Sequence, residues 1–341
     1  MRVGSNPEVK NKDIVINAYH RIIIPVYIPN FEGYFSDLLE VFKLCLESLL
    51  KTVHSKTRIT IFNNNCHPLV KEYIDSKYAE TNLIDQVFHS KENLGKVNAI
   101  LASSQGNLEP LITITDADVL FKNGWQNATE TIFNEFEEAG MVSPVPSPLA
   151  YNNLTANNWF YAFFKGKLFF KDVKDVLALK RFDDSLGNKT KMYKNMHLEK
   201  FLVIKNRKRN SEAVMGCGHF VATIRREVFD KGTSEPAFIK VSNGIETKFI
   251  DVPNESLGYL RLATKNNYAF HMGNSTEKWM YDEYNALNDL GSNVANGFDK
   301  INFPKPNSSF QLFIGKMISR FISKKRFRKL YFKKLGMNAD Y

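Results

Sequence analysis

The amino-acid sequence predicts an α/β protein with a mostly parallel central sheet sandwiched between helices. Short apolar runs typical of buried strands alternate with helical patterns four times before about residue 115. The chain has 341 residues, of which 43% are hydrophobic and 24% are charged, so it can bury one sizeable core. Its three cysteines fit neither a disulfide framework nor a zinc module, which favours free thiols in a reducing compartment.

The first strand is the apolar run His20–Val26, which ends in turn residues and has the composition of a strand buried on both faces. Apolar residues at helical spacing between residues 35 and 50 predict the helix that follows. A fourth apolar run, at residues 111–115, leads directly into Asp116. The other predicted elements are strands at residues 58–62 and 84–89 and helices that begin at Pro68 and span residues 93–104.

Polar side chains follow three of the predicted strands, at Tyr27–Asn30, Asn63–Asn65 and Asp116–Asp118. In a sheet of this kind, ligands bind beyond the carboxyl ends of the strands. One residue separates the two aspartates, so both carboxylates can reach one site if the chain turns there. Mg²⁺ and Mn²⁺ prefer oxygen ligands and commonly bridge to substrate phosphates. The alternative is a solvated acidic turn, because such a short motif also arises by chance.

The segment Thr113–Phe121 resembles the DxD strand of GT-A-fold glycosyltransferases, particularly those of the large family 2. Three upstream segments, Pro25–Tyr27, Asn63–Asn65 and Asn93–Asn98, resemble that family's first-strand end, its Asp-Asn-Gly/Ser turn and its Asn-x-Gly-x-x-x-Asn segment. The resemblance runs from residue 20 to about residue 275 and leaves out residues 151–212. It implies a GT-A (Rossmann-like) fold and a nucleotide-sugar donor bound with Mn²⁺ or Mg²⁺.

The same resemblance implies how the donor nucleotide is bound. Pro25, Val26 and Tyr27 would contact the nucleobase through backbone and an aromatic ring. Asn63 stands where the family has an aspartate that accepts the imide proton of uracil, and its carbonyl oxygen can still accept that proton. The asparagine also offers an NH₂ group to the base, and the resemblance as a whole favours a UDP-sugar donor. The remaining nucleotide-binding residues implied by the resemblance are Asn93, Gly95, Lys96 and Asp116.

The resemblance also implies a set of metal ligands. Asp118 and His271 are expected to hold the metal directly, while Asp116 faces the nucleotide ribose or a metal-bound water. His271 lies in Tyr268–Asn274, which resembles the closing strand whose histidine supplies a ligand in several GT-A enzymes. A lone histidine is more commonly structural. If His271 is a ligand, its imidazole favours Mn²⁺ over Mg²⁺.

The segment Gly216–Phe229 resembles the family's glycine-rich segment that ends in Arg-Arg-x-x-Phe. By this resemblance Gly216, Gly218 and His219 line the donor sugar or the acceptor. Glycines permit close approach of the backbone to a ligand, although a glycine-rich turn into a strand is the simpler alternative.

The segment Asp251–Leu262 resembles the family pattern Glu-Asp-x-Asp-Leu-x-x-Arg-Leu, whose second acidic residue is the catalytic base of inverting enzymes. Alignment on Arg261 and the leucine that follows it makes Glu255 the candidate base, with Asp251 as the alternative. An inverting transferase needs such a carboxylate, because the acceptor hydroxyl must lose its proton as it attacks. Glu255 also fits the first turn of a helix, which is compatible with catalysis.

Three parts of the chain are predicted: an N-terminal extension at residues 1–19, a GT-A catalytic domain at 20–290 and a basic amphipathic tail at 305–341. The catalytic domain would comprise a nucleotide-binding half at 20–143, an inserted acceptor-side segment at 151–212 and an acceptor half at 213–290. The inserted segment mixes aromatic residues and lysines without a clean period. We therefore expect it to be partly mobile.

The tail carries most of the net charge of +10, because nine lysine or arginine residues and one aspartate lie between residues 310 and 341. Apolar residues recur there at helical spacing, so the tail can lie on an anionic membrane surface. The alternative is a helix that docks on its own domain or on a partner. The sequence shows neither a signal peptide nor a membrane span, and we expect a cytoplasmic protein, peripheral at the inner face of the cell membrane.

The sequence thus predicts a metal-dependent, inverting glycosyltransferase of the hexosyltransferase type. Its expected acceptor is a hydroxyl of a glycan or lipid-linked glycan in surface polysaccharide synthesis, and nucleic acid is not an expected partner. One alternative is a nucleotidyltransferase, although Tyr27–Gly33 lacks the basic residues of a phosphate loop. The other is a nucleic-acid-binding protein that uses the basic tail.

Overall fold

The computed structural model describes residues 4, 6, 14–233, 235–240, 244–288, 308–337 and 341. The strands within these ranges are labelled β1 to β12 in chain order. Their bounds are His20–Val26, Thr57–Asn64, Ile84–Ser90, Leu111–Thr115, Val119–Phe121, Ala139–Ser143, Gly166–Asp172, Lys200–Asn206, Glu212–Met215, Val221–Arg225, Leu260–Ala263 and Ala269–His271.

The helices within the same ranges are labelled α1 to α12. Their bounds are Leu38–Thr52, Pro68–Glu80, Lys96–Gln105, Trp125–Glu135, Ala156–Phe164, Val176–Ser185, Asn195–Glu199, Arg226–Asp230, Val252–Ser256, Lys278–Asn285, Ser309–Ser323 and Lys325–Lys334. A π-helical turn, Thr247–Asp251, runs directly into α9.

Ten strands form one sheet in the order β3-β2-β1-β4-β10-β6-β11-β9-β8-β7. β1 pairs in parallel with β2 and β4, β2 with β3, and β6 with β11. β10 is antiparallel to both β4 and β6, so β6 runs in the same direction as β4. The mostly parallel sheet flanked by helices confirms the predicted fold class. It also brings the carboxyl ends of β1, β2 and β4 to one edge.

The central strands are buried along almost their whole length because helices cover both faces of the sheet. Successive residues of a strand point to opposite faces. Ile22 and Ile24 of β1 accordingly enter a core with α1, whereas Ile23 enters a second core with α3. All three are completely buried. This arrangement explains why the strand reads as an unbroken apolar run rather than an alternating one.

β5 and β12 form a separate two-stranded antiparallel sheet beside the carboxyl edge of β4. Val119, Leu120 and Phe121 are fully buried and belong to the core that contains α1. In the register of this pair His271 lies opposite Val119, immediately after Asp118. The small sheet thereby joins two parts of the chain that are far apart in sequence.

Residues 151–212, which we expected to form a partly mobile insertion, contain α5 to α7, β7 and β8 and the start of β9. β8 pairs antiparallel with β7 and β9, and β9 pairs with β11, so the segment extends the main sheet. Leu168 and Phe170 of β7 pack into one core, while Phe169 between them packs into another. The aromatic residues of this segment show no helical period because some of them lie in strands rather than in helices.

The predicted tail lies partly outside the described residues, but α11 and α12 are described and α11 packs along α5. Gly315 of α11 lies against the backbone of Ala156. Ile322 and Phe332 are buried in the core that contains β7, and the hydroxyl of Tyr341 donates to the carbonyl oxygen of Pro148 at 2.9 Å. The tail therefore docks on its own domain. Of the helices described, none has the length and apolarity to cross a bilayer.

Replacing Gly315 with alanine is expected to destabilise the protein, because its Cβ would overlap the carbonyl oxygen of Ala156. Overpacking of this kind costs about 1–3 kcal/mol of unfolding free energy, which urea denaturation of the full chain would measure. Gly106→Ala is the matched control, because nothing lies within 4 Å of an added Cβ there. An unchanged denaturation midpoint for Gly315→Ala would contradict the docking of α11 on α5.

Candidate functional site

The carboxyl ends of β1, β2 and β4 open into a cleft of about 580 Å³, a volume typical of small-molecule sites. The sequence-predicted residues that line it are Pro25, Val26, Tyr27, Asn93, Lys96, Asp116 and Asp118. It is also lined by residues that were not predicted, among them Tyr34, Phe35, Asn64, Lys240 and Glu246. Aromatic surface and opposite charges thus share one cleft.

The two aspartates are held through their backbones. The N–H of Asp116 donates to the carbonyl oxygen of Phe220 at 2.8 Å, which extends the pairing of β4 with β10. The carbonyl oxygen of Asp118 accepts the N–H of Met272 at 2.8 Å, next to the β5–β12 pair. The turn between β4 and β5 is therefore anchored on both sides.

Asp116, Asp118 and His271 form a group whose candidate ligand atoms all lie within 4.8 Å of one another. Nε2 of His271 is 3.4 Å from Oδ2 of Asp118. The other oxygen, Oδ1 of Asp118, is buried and has no hydrogen-bond partner among the described residues. Burial raises the pKa of Asp118, and the nearby His271 opposes that shift. This donor set of carboxylate and imidazole fits a divalent metal ion.

A second group of potential ligands, His20, His54 and Glu130, lies inside the protein. Oε1 of Glu130 is 2.7 Å from Nδ1 of His20 and 2.9 Å from Nε2 of His54. The outer nitrogen of each histidine is within hydrogen-bond distance of a threonine hydroxyl, that of Thr113 or Thr57. All three side chains are buried and have partners, so this group is a hydrogen-bonded core network.

Lys96 lies between two carboxylates of the cleft. Its Nζ forms an ion pair with Asp116 and lies 2.9 Å from Oε1 of Glu246. Burial disfavours the charged lysine, but the two carboxylates outweigh burial and raise the pKa of Lys96. Burial likewise favours neutral Glu246, yet the charge of Lys96 lowers the pKa of that carboxyl. Both side chains are therefore ionised at neutral pH.

The loop before α3 is shaped by Gly95, which has a φ of +81°. A Cβ at this position would lie 2.8 Å from the carbonyl oxygen of Lys240, so glycine permits the loop that carries Lys240 to approach. Oδ1 of Asn93 accepts the N–H of Gly95 at 2.9 Å and thereby orders the same loop. Gly95 thus contributes shape rather than a side chain to the cleft.

Asn63 is not among the residues that line the cleft. Its side-chain oxygen accepts the N–H of Cys66 at 2.9 Å, and its nitrogen lies 2.9 Å from Nδ1 of His89. The neighbour Asn64 lines the cleft instead, where it accepts the N–H of Leu94 at 2.8 Å. Asn63 is thus the second-last residue of β2, and both polar groups of its side chain have partners within the protein.

Gly216, Gly218 and His219 precede β10, whose first residue Val221 pairs with Thr115 at the end of β4, and none of the three is among the residues that line the cleft. Gly216 has a φ of +100° and lies tightly against Ala150, so a side chain has no room there. Nε2 of His219 lies 2.8 Å from Oδ2 of Asp251. Asp251 is fully buried and also pairs with Arg261 at 3.3 Å. Asp251, the alternative base of the sequence prediction, is thus buried and paired with His219 and Arg261.

Glu255 does not line the cleft. Its Oε1 accepts the N–H of Ala156 at 2.9 Å, so the side chain caps the start of α5. Glu246 occupies the cleft instead, at the start of the helical turn that leads into α9. Gly258, with a φ of +86°, follows the end of this helical stretch. A glycine at such a position is a helix stop signal.

The fold and the site define an α/β protein with an acidic, metal-compatible cleft at the carboxyl edge of its sheet. No family model matches the sequence, and no curated protein matches it. Solved structures do match. The mannosyltransferase PcManGT from Pyrobaculum calidifontis, in complex with GDP-Man and Mn²⁺, matches with a TM-score of 0.41 and 13% identity over 72% of this chain and 54% of that chain.

Two further solved structures are similar at the same level. GalNAc-T7 with UDP, GalNAc and Mn²⁺ matches with a TM-score of 0.45 and 12% identity over 76% of this chain and 44% of that chain. S. aureus TarS 1–349 matches with a TM-score of 0.40 and 10% identity over 78% of this chain and 62% of that chain. The chain thus spans less than two thirds of each. TM-scores below 0.5 leave activity and substrate to be inferred from the site.

Proposed function

We propose that this protein is a metal-dependent glycosyltransferase that moves a sugar from a nucleotide-sugar to a hydroxyl of an acceptor. One observation carries the proposal: Asp116, Asp118 and His271 converge at the carboxyl end of β4. The two aspartates line a cleft that also contains the Tyr27 ring and the Lys96 ammonium group. Carboxylates beside a lysine and an aromatic surface suit a divalent cation, a diphosphate and a nucleobase.

We propose that Asp118 and His271 hold the metal ion directly and that Asp116 faces the ribose or a metal-bound water. The unpartnered Oδ1 of Asp118 supports the first assignment. The ion pair of Asp116 with Lys96 supports the second, because it already engages one oxygen of that carboxylate. When bound, the metal ion would neutralise the diphosphate leaving group. We favour Mn²⁺, since an imidazole ligand suits it better than Mg²⁺.

We propose Glu246 in place of Glu255 as the base of an inverting displacement. Glu246 shares the cleft with Asp116 and is ionised at neutral pH, whereas Glu255 caps α5. The acceptor oxygen would bond to the anomeric carbon as the bond from that carbon to the phosphate oxygen breaks. The hydroxyl proton would pass to the Glu246 carboxylate, and the nucleoside diphosphate would leave.

A UDP-sugar is the donor that we propose, on the resemblance of Pro25–Tyr27 and of the DxD strand. The contact of Asn63 with uracil is no longer part of this proposal, because its side chain is bonded elsewhere. Tyr27 and Tyr34 are 39% and 65% exposed and both line the cleft, so either ring can stack on a base. Stacking alone does not select uracil, so the base of the donor has to be tested by comparing sugars linked to different nucleotides.

We propose that the tail holds the protein on an anionic membrane surface and so brings it to a lipid-linked acceptor in surface polysaccharide synthesis. The face of α11 that points away from α5 remains apolar. Phe310, Phe313, Met317 and Phe321 are each at least half exposed, at spacings of three or four residues. Lys316, Arg320 and Lys324 are exposed along the same helix. A basic residue near an anionic surface contributes about 1 kcal/mol to such binding.

Asp118→Ala is expected to abolish the Mn²⁺-dependent stabilisation of the protein by its donor. A ligand at about a hundred times its Kd raises the unfolding free energy by about 2.7 kcal/mol, which a thermal-shift assay detects. The screen uses UDP-, GDP-, dTDP- and CMP-sugars with and without Mn²⁺. Asp282→Ala is the control, because Asp282 is an exposed residue of α10. Equal shifts for Asp118→Ala and the natural chain would contradict the metal site, and a larger shift with another base would correct the donor.

Glu246→Gln is expected to lower kcat by about 10²–10⁴-fold, because the amide cannot take the acceptor proton. Donor binding in the thermal-shift assay should persist. Glu255→Gln is the matched control, since its amide oxygen can still accept the N–H of Ala156. Initial rates of sugar transfer measure both variants. A loss of rate in Glu255→Gln with an unaffected Glu246→Gln would return the base to Glu255.

Replacing Phe313 and Met317 together with serine is expected to release the protein from vesicles of anionic lipid without lowering its melting temperature. Both side chains are largely exposed, at 58% and 56%, so the docked face of α11 is left intact. Vesicle co-sedimentation measures binding, with Leu108→Ser as an exposed apolar control outside the tail. Unchanged co-sedimentation of the double variant would contradict the membrane proposal. Retention by an oligonucleotide in preference to vesicles would instead indicate a nucleic-acid site.

A further inference from the structure

The imidazole of His271 has one neighbour at each nitrogen. Nδ1 lies 2.9 Å from the hydroxyl oxygen of Ser185, the last residue of α6. Nε2 faces Oδ2 of Asp118 at 3.4 Å. Ser185 belongs to the segment 151–212, which lies outside the part of the chain that resembles known transferases. A residue of that segment therefore contacts the proposed metal ligand directly.

The hydroxyl of Ser185 has a single proton, and that proton is already used in a hydrogen bond. It donates to the carbonyl oxygen of Phe182 at 2.7 Å, within the last turn of α6. The serine oxygen can therefore only accept a hydrogen bond from His271. It follows that Nδ1 of His271 carries the ring proton and that the Nε2 lone pair points towards Asp118. This is the tautomer that a metal ligand requires at Nε2.

The ring plane of His271 is fixed as well as its tautomer. Phe182 and Phe220 meet the imidazole edge-on, with ring centroids at 5.9 and 5.4 Å. The backbone of Ser185 also lies close to Gly273, where an added Cβ would be 3.0 Å from the Ser185 carbonyl oxygen. The end of α6 and the end of β12 are thus packed together around the histidine.

We propose that Ser185 is a positioning residue that fixes the Nδ1–H tautomer and the orientation of His271, so that the segment 151–212 completes the metal site. This inference rests on the proposed function, because it concerns the same metal. Independently of Ser185, the buried Oδ1 of Asp118 has no hydrogen-bond partner among the described residues, which supports a cation at this carboxylate. Nε2 of His271 and Oδ2 of Asp118 present lone pairs to each other at 3.4 Å, and such a pair needs a cation or a proton between its two atoms.

The test is the binding of Mn²⁺ and Mg²⁺ alone to the full chain, measured by calorimetry. Ser185→Ala removes the acceptor for Nδ1–H, and loss of such an outer partner typically weakens metal binding about 10–100-fold. We expect this loss for Mn²⁺, and a smaller loss for Mg²⁺, which depends less on imidazole. Ser185→Thr keeps the hydroxyl and should bind Mn²⁺ like the natural chain.

Ser323→Ala is the matched control. Ser323 makes the same local bond as Ser185, from its hydroxyl to the carbonyl oxygen of Arg320 at 2.8 Å, but in α11. A purely structural effect of losing such a bond would lower the melting temperature in both variants without changing the ratio of Mn²⁺ to Mg²⁺ affinity. A changed ratio in Ser185→Ala alone supports the positioning role.

Asp118→Ala separates the failure of this inference from that of the proposed function. If Asp118→Ala loses Mn²⁺ binding but Ser185→Ala retains it in full, the positioning role is overturned and the metal site stands. If Asp118→Ala binds Mn²⁺ normally, the metal site fails and the inference fails with it.

¹⁵N NMR of the metal-free natural chain tests the tautomer of His271 without any variant. Protonation of neutral His271 at Nε2 would overturn the inference.

Discussion

The short antiparallel pairing of β5 with β12 is the contact on which the site depends. It has three residues on each strand, yet it places His271 opposite Val119 and so next to Asp118. The pairing is firm because Val119, Leu120 and Phe121 are fully buried under α1, where the backbone N–H of Phe121 also donates to the hydroxyl of Ser48 at 3.1 Å. The aspartates before β5 are consequently held at the end of β4, since the backbone of Asp116 is bonded to Phe220 and that of Asp118 to Met272. Weakening the β5–β12 pair would therefore separate the carboxylates of Asp116 and Asp118 from the imidazole of His271 without changing any of these three residues.

The first half of the fold could be predicted because its strands are buried on both faces and its helices are amphipathic, so each element has a local signal. Asp116 and Asp118 were placed in the cleft for the same reason: they follow a strand whose direction was clear. Glu246 was not among the predicted residues because the pattern was aligned on Arg261, which lies in β11, well beyond the helical stretch that follows Glu246. The π-helical turn before α9 shifts the register further, since it holds one more residue per hydrogen-bonded ring than an α-helix. Asn64 lines the cleft while its predicted neighbour Asn63 does not, because successive residues of a strand point to opposite faces.

Side-chain periodicity also explains why the later segments were harder to interpret. Aromatic residues of the segment 151–212 are divided between α5 and the edge strand β7, and no single period describes both. In the tail, Ile322 and Phe332 enter the core while Phe313 and Phe321 stay exposed, so the chain is apolar on two faces. A sequence pattern reports that a helix is amphipathic but not which of two apolar faces meets its own domain. Docking on the domain and the membrane binding that we propose therefore use different side chains of the tail.

Lys96 connects the two halves of the proposed reaction. Its ammonium group is shared between Asp116 on the donor side and Glu246 on the acceptor side, and it lowers the pKa of the latter. A diphosphate in the cleft would compete for the same ammonium group, because charge-assisted bonds to phosphate are strong. As Lys96 turned towards the phosphates, Glu246 would lose its counter-charge inside a partly buried site. Its pKa would then rise towards the value that burial alone favours, and the carboxylate would become a stronger base. On the proposed function, the glutamate would gain its basicity when the donor is in place, which ties proton removal from the acceptor to the presence of the sugar it attacks.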